Sequence, residues 1–228
     1  MINYLISKVI QTVNKAGSIV PVKPFFDSKD FFWVEDVEKY HLDISYELEK
    51  VLECPLPSMT ELSNNKNSVT DDDSWKTYFL YVYGEEVKKN TQACPNTKRA
   101  LTHIPGIKTA FFSILPPNTK IPPHYGPYNG VLRYHLGVKI PKAAKSCGIK
   151  VKNEKRYWIA GKSLIFDDSY KHEAWNYSSE TRVVLFVDFI RPMHKPFKWL
   201  NELFYEHITE QKFNVKFKEN VIKNKGIT

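Results

Sequence analysis

Short runs of apolar and β-branched residues, bounded by Pro, Gly or Asn, dominate the second half of the chain. This pattern is typical of β-strands. The runs cover residues 108–115, 131–140, 148–153, 155–160, 163–167 and 181–189, and an aromatic run at 75–83 precedes them. Short strands at such regular spacing predict a mainly β sandwich or barrel.

Helical spacing of apolar residues appears on both sides of the strand region. It covers residues 2–13 and 36–52, and it returns in a C-terminal helix after Lys195. A polar segment, 63–74, reads as a loop before the first strand. We therefore expect a helical and irregular preface over 1–74, packed on a β domain over 75–228 as one compact unit.

Composition and charge narrow the class of protein. The chain has 228 residues and a net charge of +8, but its lysines are scattered and no nucleic-acid-binding motif is present. No nucleic-acid partner is expected, whereas peripheral membrane contact through the first helix stays open. No apolar run reaches the ~20 residues that span a bilayer. Three widely separated cysteines favour a reducing compartment, so we expect a cytoplasmic protein.

Two histidines lie near the ends of the most informative stretch. His124 follows a Pro-Pro pair, and His172 follows Asp167-Asp168. Either histidine alone would be typical of a structural or surface residue, but two imidazoles can hold a transition metal and leave coordination positions open. Arg182 lies on a strand with apolar residues on both faces, so its charge needs a partner. That partner is either a protein carboxylate or a bound anion.

Strand alternation adds a second pair of polar side chains. In the strand VLRYHLGVKI, Arg133 and His135 are two residues apart and therefore point to the same face. Tyr134 and Leu136 point to the opposite face. A cation and an imidazole thus face one way shortly after His124 in the chain.

The chain resembles a known family in three segments. They read FFSILPPNTKIPPHYGPYNGVLRYHLGVKIP, YWIAGKSLIFDDSYKHEAWN and TRVVLFVDFIRP, and together cover roughly residues 108–192. These segments resemble the aspartyl/asparaginyl β-hydroxylases, a branch of the iron(II)/2-oxoglutarate dioxygenases. The resemblance implies a double-stranded β-helix, which is a cupin-like jelly roll. It also implies Fe(2+), 2-oxoglutarate as co-substrate and molecular oxygen.

The resemblance also implies a role for individual residues. His124 and His172 match the iron ligands. Arg182 and Ser113 match the groups that hold the distal carboxylate of 2-oxoglutarate. His135 matches a contact to the proximal carboxylate, and Arg133 matches a residue facing either that carboxylate or a carboxylate of the substrate.

One position departs from the usual facial triad of related oxygenases. The carboxylate ligand normally stands two residues after the first histidine, where this chain has Gly126. Our hypothesis is that water takes this position and that Asp168 holds the water; the alternative is that Asp168 caps a turn. The related lipid A acyl-chain hydroxylases look like H-x-D at the same site, so Gly126 counts against a place among those enzymes.

The substrate expected from the family name is an Asp or Asn β-carbon in a peptide or a small amino-acid-like molecule. Two alternatives are hydroxylation of a lipid acyl chain or secondary metabolite, and a non-catalytic jelly-roll binding module. Lys76, which follows Trp75, is a candidate contact for a substrate anion. An exposed strand lysine is the simpler interpretation of this residue.

Overall fold

A computed structural model describes residues 2–63, 73–143 and 145–223. Its strands are β1 Phe25–Phe26, β2 Lys76–Val82, β3 Glu85–Glu86, β4 Ile107–Leu115, β5 Thr119–His124, β6 Val131–Lys139, β7 Cys147–Val151, β8 Glu154–Tyr157, β9 Ser163–Phe166, β10 His172–Asn176 and β11 Arg182–Ile190. Its α-helices are α1 Ile2–Gly17, α2 Val34–Glu38, α3 His41–Leu52, α4 Met59–Ser63, α5 Lys88–Ala93, α6 Pro95–Leu101, α7 Phe197–Thr209 and α8 Lys212–Lys223.

The strands form two antiparallel sheets. The larger has the order β1-β9-β6-β11-β4-β2-β3, and the smaller has the order β5-β10-β7-β8. From β4 to β11 the chain passes back and forth between the two sheets, with β7 and β8 as a hairpin within the smaller one, as in a jelly roll. The mainly β, jelly-roll fold class predicted from the sequence is confirmed, with helices at both ends of the chain.

Each central strand of the large sheet has two different apolar faces because successive side chains point to opposite sides. Phe111 and Phe186 point between the two sheets, where they pack with Ile149 of β7. Leu132 and Leu185 belong to the opposite face, which the helices of the first hundred residues cover. The predicted alternation in β6 and β11 is therefore observed, and it directs Arg133 and His135 into the space between the sheets.

A buried carboxylate joins two of the covering helices. Glu47 of α3 accepts hydrogen bonds from the backbone N–H groups of Asn96 and Thr97, at 2.7 and 2.8 Å, in the first turn of α6. These N–H groups have no partner within their own helix, and the negative charge is favourable at a helix N-terminus. α1 docks through Asn14, whose amide donates to Asn129 at 3.0 Å. None of the described helices is long and apolar enough to cross a bilayer.

Several elements differ from the sequence prediction. The C-terminal helix is in fact two helices, α7 and α8. The polar loop expected over 63–74 lies mostly outside the described residues. β5 and β10, which carry both histidines, were missed. Pro122 and Pro123 weaken the strand pattern of β5, but β5 is an edge strand, where a missing N–H donor is tolerated.

Candidate metal centre and its two cavities

The two histidines meet at one end of the smaller sheet. β10 lies between β5 and β7, and His172 is in register with His124 on one side and with Val151 on the other. The imidazole ring centroids are 4.0 Å apart. Cross-strand pairing therefore brings together two residues that are far apart in sequence, as the metal-site prediction requires.

Both imidazoles are neutral and protonated on Nδ1, which leaves Nε2 free to bind a metal. Nδ1 of His124 lies 2.8 Å from the carbonyl oxygen of Pro122, and Nδ1 of His172 lies 3.0 Å from that of Tyr170. A carbonyl only accepts, so Nδ1 carries the proton and Nε2 keeps its lone pair. Burial lowers the pKa of His124, and burial together with Arg133 and His124 lowers the pKa of His172 to about 3. Both rings are therefore neutral near pH 7.

Arg182 is a buried cation without a counter-ion among the described residues. Its side chain is 1% exposed, and Nη1 donates to the carbonyl oxygen and to Oγ of Ser113 at 3.0 and 3.2 Å. Its Cζ lies 4.6 Å from the ring centroid of Trp158, while its Nε has no partner in the described part of the chain. Within the described ranges no carboxylate oxygen comes within 4.0 Å of it. Burial lowers its pKa to about 10, so it remains charged and open to an anion.

An inner cavity lies between Arg182 and the histidine pair. Its lining includes Ser113, His135, Trp158, Arg182 and both metal-site histidines. His135 is 6% exposed, and neither of its ring nitrogens has a hydrogen-bond partner within the described ranges. Burial lowers its pKa well below the usual value, with Arg133 and Arg182 adding to the effect. The cavity thus contains unused polar groups in an otherwise apolar wall.

Asp168 occupies the space that a side chain at position 126 would need. A Cβ built on Gly126 would lie 2.1 Å from Oδ2 of Asp168. The backbone N–H of Gly126 donates to the Asp168 carbonyl oxygen at 2.8 Å. Oδ1 of Asp168 is buried and has no partner among the described residues. Burial raises the pKa of this carboxyl to about 7, against the opposing effect of Arg133. The turn that precedes His172 therefore supplies a carboxylate beside the histidine pair.

Arg133 stands between the two cavities and is already paired. Its Nε and Nη2 donate to the two carboxylate oxygens of Asp188 at 2.9 and 3.2 Å. Nη2 also lies 2.8 Å from Oδ2 of Asp168, and Cζ lies 4.2 Å from the Phe186 ring centroid. Two carboxylates therefore share one guanidinium, which leaves little of its charge for another anion.

An outer cavity of about 380 Å³ leads from His124 towards the C-terminal helices. Its walls come from α4, the large sheet, α7 and α8, and the loop after β5. Arg133 is the one Lys or Arg side chain among the described lining residues. The apolar and aromatic part of the lining includes Met59, Phe79, Phe111, Tyr128, Ile208 and Phe217. This composition suits a long apolar group better than a charged one.

Lys76 is not brought to the site. It lines neither cavity and lies on the strand face of Tyr78 and Leu80, whereas its neighbour Trp75 points inward.

Sequence reasoning missed Trp158 and Asp188, which both line the cavities. Alternation offered a signal for Asp188, which shares the inward face of β11 with Arg182. Trp158 follows a short strand and carried no such signal.

The described residues thus form an antiparallel jelly roll with a two-histidine candidate metal centre. The family model named Aspartyl/Asparaginyl beta-hydroxylase matches residues 38–192. The chain belongs to this family, as its sequence motifs predicted.

Curated relatives agree with this assignment. The chain is 46% identical over 180 residues to the ornithine lipid ester-linked acyl 2-hydroxylase of Rhizobium tropici, covering 78% of this chain and 64% of that protein. It is 35% identical over 134 residues to the human aspartyl/asparaginyl beta-hydroxylase, covering 57% of this chain and 17% of that protein. The chain therefore spans less than two thirds of either relative.

Solved structures match only loosely. A cupin domain from Schizosaccharomyces pombe aligns with 52% of this chain and 66% of that chain at 10% identity, with a TM-score of 0.36. A similarity at this level supports no statement about function.

Proposed function

We propose that this protein is an iron(II)- and 2-oxoglutarate-dependent hydroxylase that acts on an unactivated C–H bond. The observation that carries the proposal is Arg182, a buried guanidinium with no carboxylate partner among the described residues, in one cavity with two neutral imidazoles. A buried charge without a counter-ion is costly, so such a residue is expected where an anion binds.

The residues present fit the implied groups. His124 and His172 would hold iron through Nε2, because their Nδ1 atoms are engaged with backbone carbonyl oxygens. Arg182 and Ser113 would hold the distal carboxylate of 2-oxoglutarate, and His135 would contact its other end. No set of three histidine, cysteine or carboxylate side chains in the described ranges converges on a metal position. The remaining ligands would then be 2-oxoglutarate and water.

Iron(II) bound with 2-oxoglutarate and oxygen supplies the oxidising chemistry that converts C–H into C–OH. The protein contributes position and environment. Arg182 and Ser113, which are 1% and 2% exposed, would hold the co-substrate from the buried side of the inner cavity. Trp158 and Phe166 give that cavity part of its apolar lining. We further propose that Oδ1 of Asp168, which has no partner in the described structure, accepts a hydrogen bond from a water that replaces the usual carboxylate ligand.

For the substrate we propose a lipid acyl chain, which was the alternative rather than the preferred expectation from the sequence. The apolar outer cavity, in which the charge of Arg133 is already shared by Asp168 and Asp188, supports this choice. The acyl 2-hydroxylase named for the Rhizobium tropici relative also supports it. Gly126 counts against the lipid A acyl-chain hydroxylases, which look like H-x-D at this position, but it does not argue against other acyl lipids. An Asp or Asn side chain is the second candidate, favoured by the family match.

Two measurements test the proposal. Anaerobic addition of iron(II) and 2-oxoglutarate should produce the weak visible charge-transfer band of the chelate, and Arg182→Met should require more 2-oxoglutarate to produce it. Succinate release should then depend on a detergent-dispersed acyl lipid and not on Asp- or Asn-containing peptides. A preference for peptides would overturn the substrate proposal. The absence of any chelate band would overturn the proposed function and favour a non-catalytic binding module.

A further inference from the structure

We propose that the end of the smaller sheet beside the histidine pair docks on an anionic lipid bilayer. The docking surface, called the lysine rim, consists of Tyr125, Lys150, Lys152 and Lys171. The proposal rests on the proposed function because it explains how an acyl substrate held in a membrane reaches the outer cavity.

Strand register places the rim. His124, His172 and Val151 form one row across β5, β10 and β7. The residues that extend this row by one position are Tyr125, Lys171 and Lys152. The backbone N–H of Lys152 donates to the carbonyl oxygen of Lys171 at 2.7 Å, so these two lysines lie side by side. An aromatic side chain and two cations therefore stand at the sheet end that carries the histidine pair.

Two grooves meet at this sheet end. The outer, apolar cavity is lined by His124 and Tyr125, while a second groove of about 240 Å³ is lined by Pro123 and by the three lysines of the rim. An apolar channel thus opens beside a basic surface, and consecutive residues of one segment line both. A membrane lipid has the matching arrangement, since its acyl chain is apolar and the surface around its headgroup is anionic.

The charge of the rim is largely unbalanced. Glu173 is the one carboxylate that lines the basic groove among the described residues; it pairs with Lys120 at 3.0 Å and approaches Lys150 at 4.0 Å. Lys152 and Lys171 are exposed, and neither has a described carboxylate oxygen within 4.0 Å. Lys152 instead lies 5.5 Å from the Tyr170 ring centroid. Lysines near an anionic leaflet contribute favourable binding energy individually.

Tyr125 supplies the interfacial aromatic group. It is 66% exposed, although it lines the apolar cavity on one side. Tyrosine is enriched at membrane–water interfaces because its ring is apolar and its hydroxyl is polar. We therefore infer a bilayer rather than a nucleic acid as the partner, since the apolar channel and this tyrosine have no role in contacts to phosphates alone.

The test is co-sedimentation of the full chain, without iron or 2-oxoglutarate, with two kinds of vesicle. One is phosphatidylcholine alone, and the other is an equal mixture of phosphatidylcholine and phosphatidylglycerol. We expect clear preference for the mixed vesicles and a loss of binding as salt screens the charges. The double variant Lys152→Gln/Lys171→Gln should weaken binding to the mixed vesicles by about tenfold or more. The control is Lys29→Gln/Lys89→Gln, which removes the same charge from exposed positions elsewhere.

A second pair of variants tests the aromatic contact. Tyr125→Ser should weaken vesicle binding, while Tyr46→Ser, which changes a tyrosine of 67% exposure on α3, should not. Equal binding to both vesicle types, or equal effects of rim and control variants, would overturn the proposal. Competition by inorganic phosphate at low millimolar concentration would also overturn it, because it would indicate a small-anion site. If the same protein binds the mixed vesicles but gives neither a chelate band nor succinate once iron(II) and 2-oxoglutarate are added, the rim stands and the hydroxylase is refuted. The two failures are therefore distinguishable.

Discussion

The protein buries two arginines to the same extent and partners them in opposite ways. Arg191 is 0% exposed, forms an ion pair with Asp167, and donates from Nε to the carbonyl oxygen of Asn129 at 2.7 Å. Arg182 is 1% exposed and meets a backbone carbonyl, a hydroxyl and an indole ring, but no described carboxylate. Arg191 has its counter-ion within the fold, whereas Arg182 has none among the described residues.

The presence or absence of a counter-ion identifies Arg191 as a structural residue and Arg182 as a candidate binding residue, without reference to any relative. Removing one partner of a buried ion pair leaves the other charge buried and unpaired, which costs a large desolvation free energy. An unpaired buried cation already carries that penalty in the absence of a ligand, and a bound anion relieves it. Stability should therefore depend on Arg191, and co-substrate binding should depend on Arg182.

The largest effect is expected from Arg191→Met. The change leaves the Asp167 carboxylate buried without its counter-ion and should lower the free energy of unfolding by about 3–5 kcal/mol. Urea unfolding followed by circular dichroism measures it. The double variant Arg191→Met/Asp167→Asn should recover part of the loss, because it removes both charges. Equal destabilisation by the single and double variants would show that the ion pair is not the cause.

Arg182→Met should produce the reverse pattern. Since no described carboxylate is left unpaired and a costly buried charge is removed, the free energy of unfolding should stay the same or rise. The 2-oxoglutarate concentration that half-saturates the iron chelate should rise tenfold or more, at about 1.4 kcal/mol for each factor of ten. 2-Oxoglutarate should raise the melting temperature of the iron-loaded wild type more than that of the variant. An unchanged 2-oxoglutarate requirement would refute the assigned role.

The same comparison explains what the sequence alone did and did not reveal. Alternation in β6 predicted that Arg133 and His135 share one face, as the structure shows, because a two-residue repeat needs no knowledge of neighbouring strands. Whether Arg182 has a carboxylate partner depends on cross-strand register, so the sequence left the choice between a protein carboxylate and a bound anion open. Asp167 and Asp168 are adjacent in sequence, yet one faces Arg191 and the other faces Arg133.

Gly126→Asp tests the role of Asp168, whose Oδ1 has no hydrogen-bond partner among the described residues. The new Cβ would lie 2.1 Å from Oδ2 of Asp168, so the side chain cannot simply provide the missing ligand. We expect a loss of about 1–3 kcal/mol in unfolding free energy from overpacking, together with weaker iron binding. Gly126→Asp/Asp168→Gly should restore both, because it exchanges the positions of glycine and carboxylate. Iron titration monitored by tryptophan fluorescence and urea unfolding report the two effects, and a double variant no better than the single one would contradict the exchange.

The smallest effect is expected from Ser113→Ala, which changes a neighbour of Arg182 and leaves the cation in place. Oγ of Ser113 accepts a neutral hydrogen bond from Trp75 Nε1 at 2.9 Å and a charge-assisted one from Arg182 at 3.2 Å. The substitution removes both. A typical hydrogen bond contributes about 1 kcal/mol net, which corresponds to roughly a fivefold rise in the 2-oxoglutarate requirement. Ser113→Thr keeps the hydroxyl and should stay closer to the wild type. An effect of Ser113→Ala as large as that of Arg182→Met would mean that the hydroxyl, and not the guanidinium, dominates the binding of the distal carboxylate.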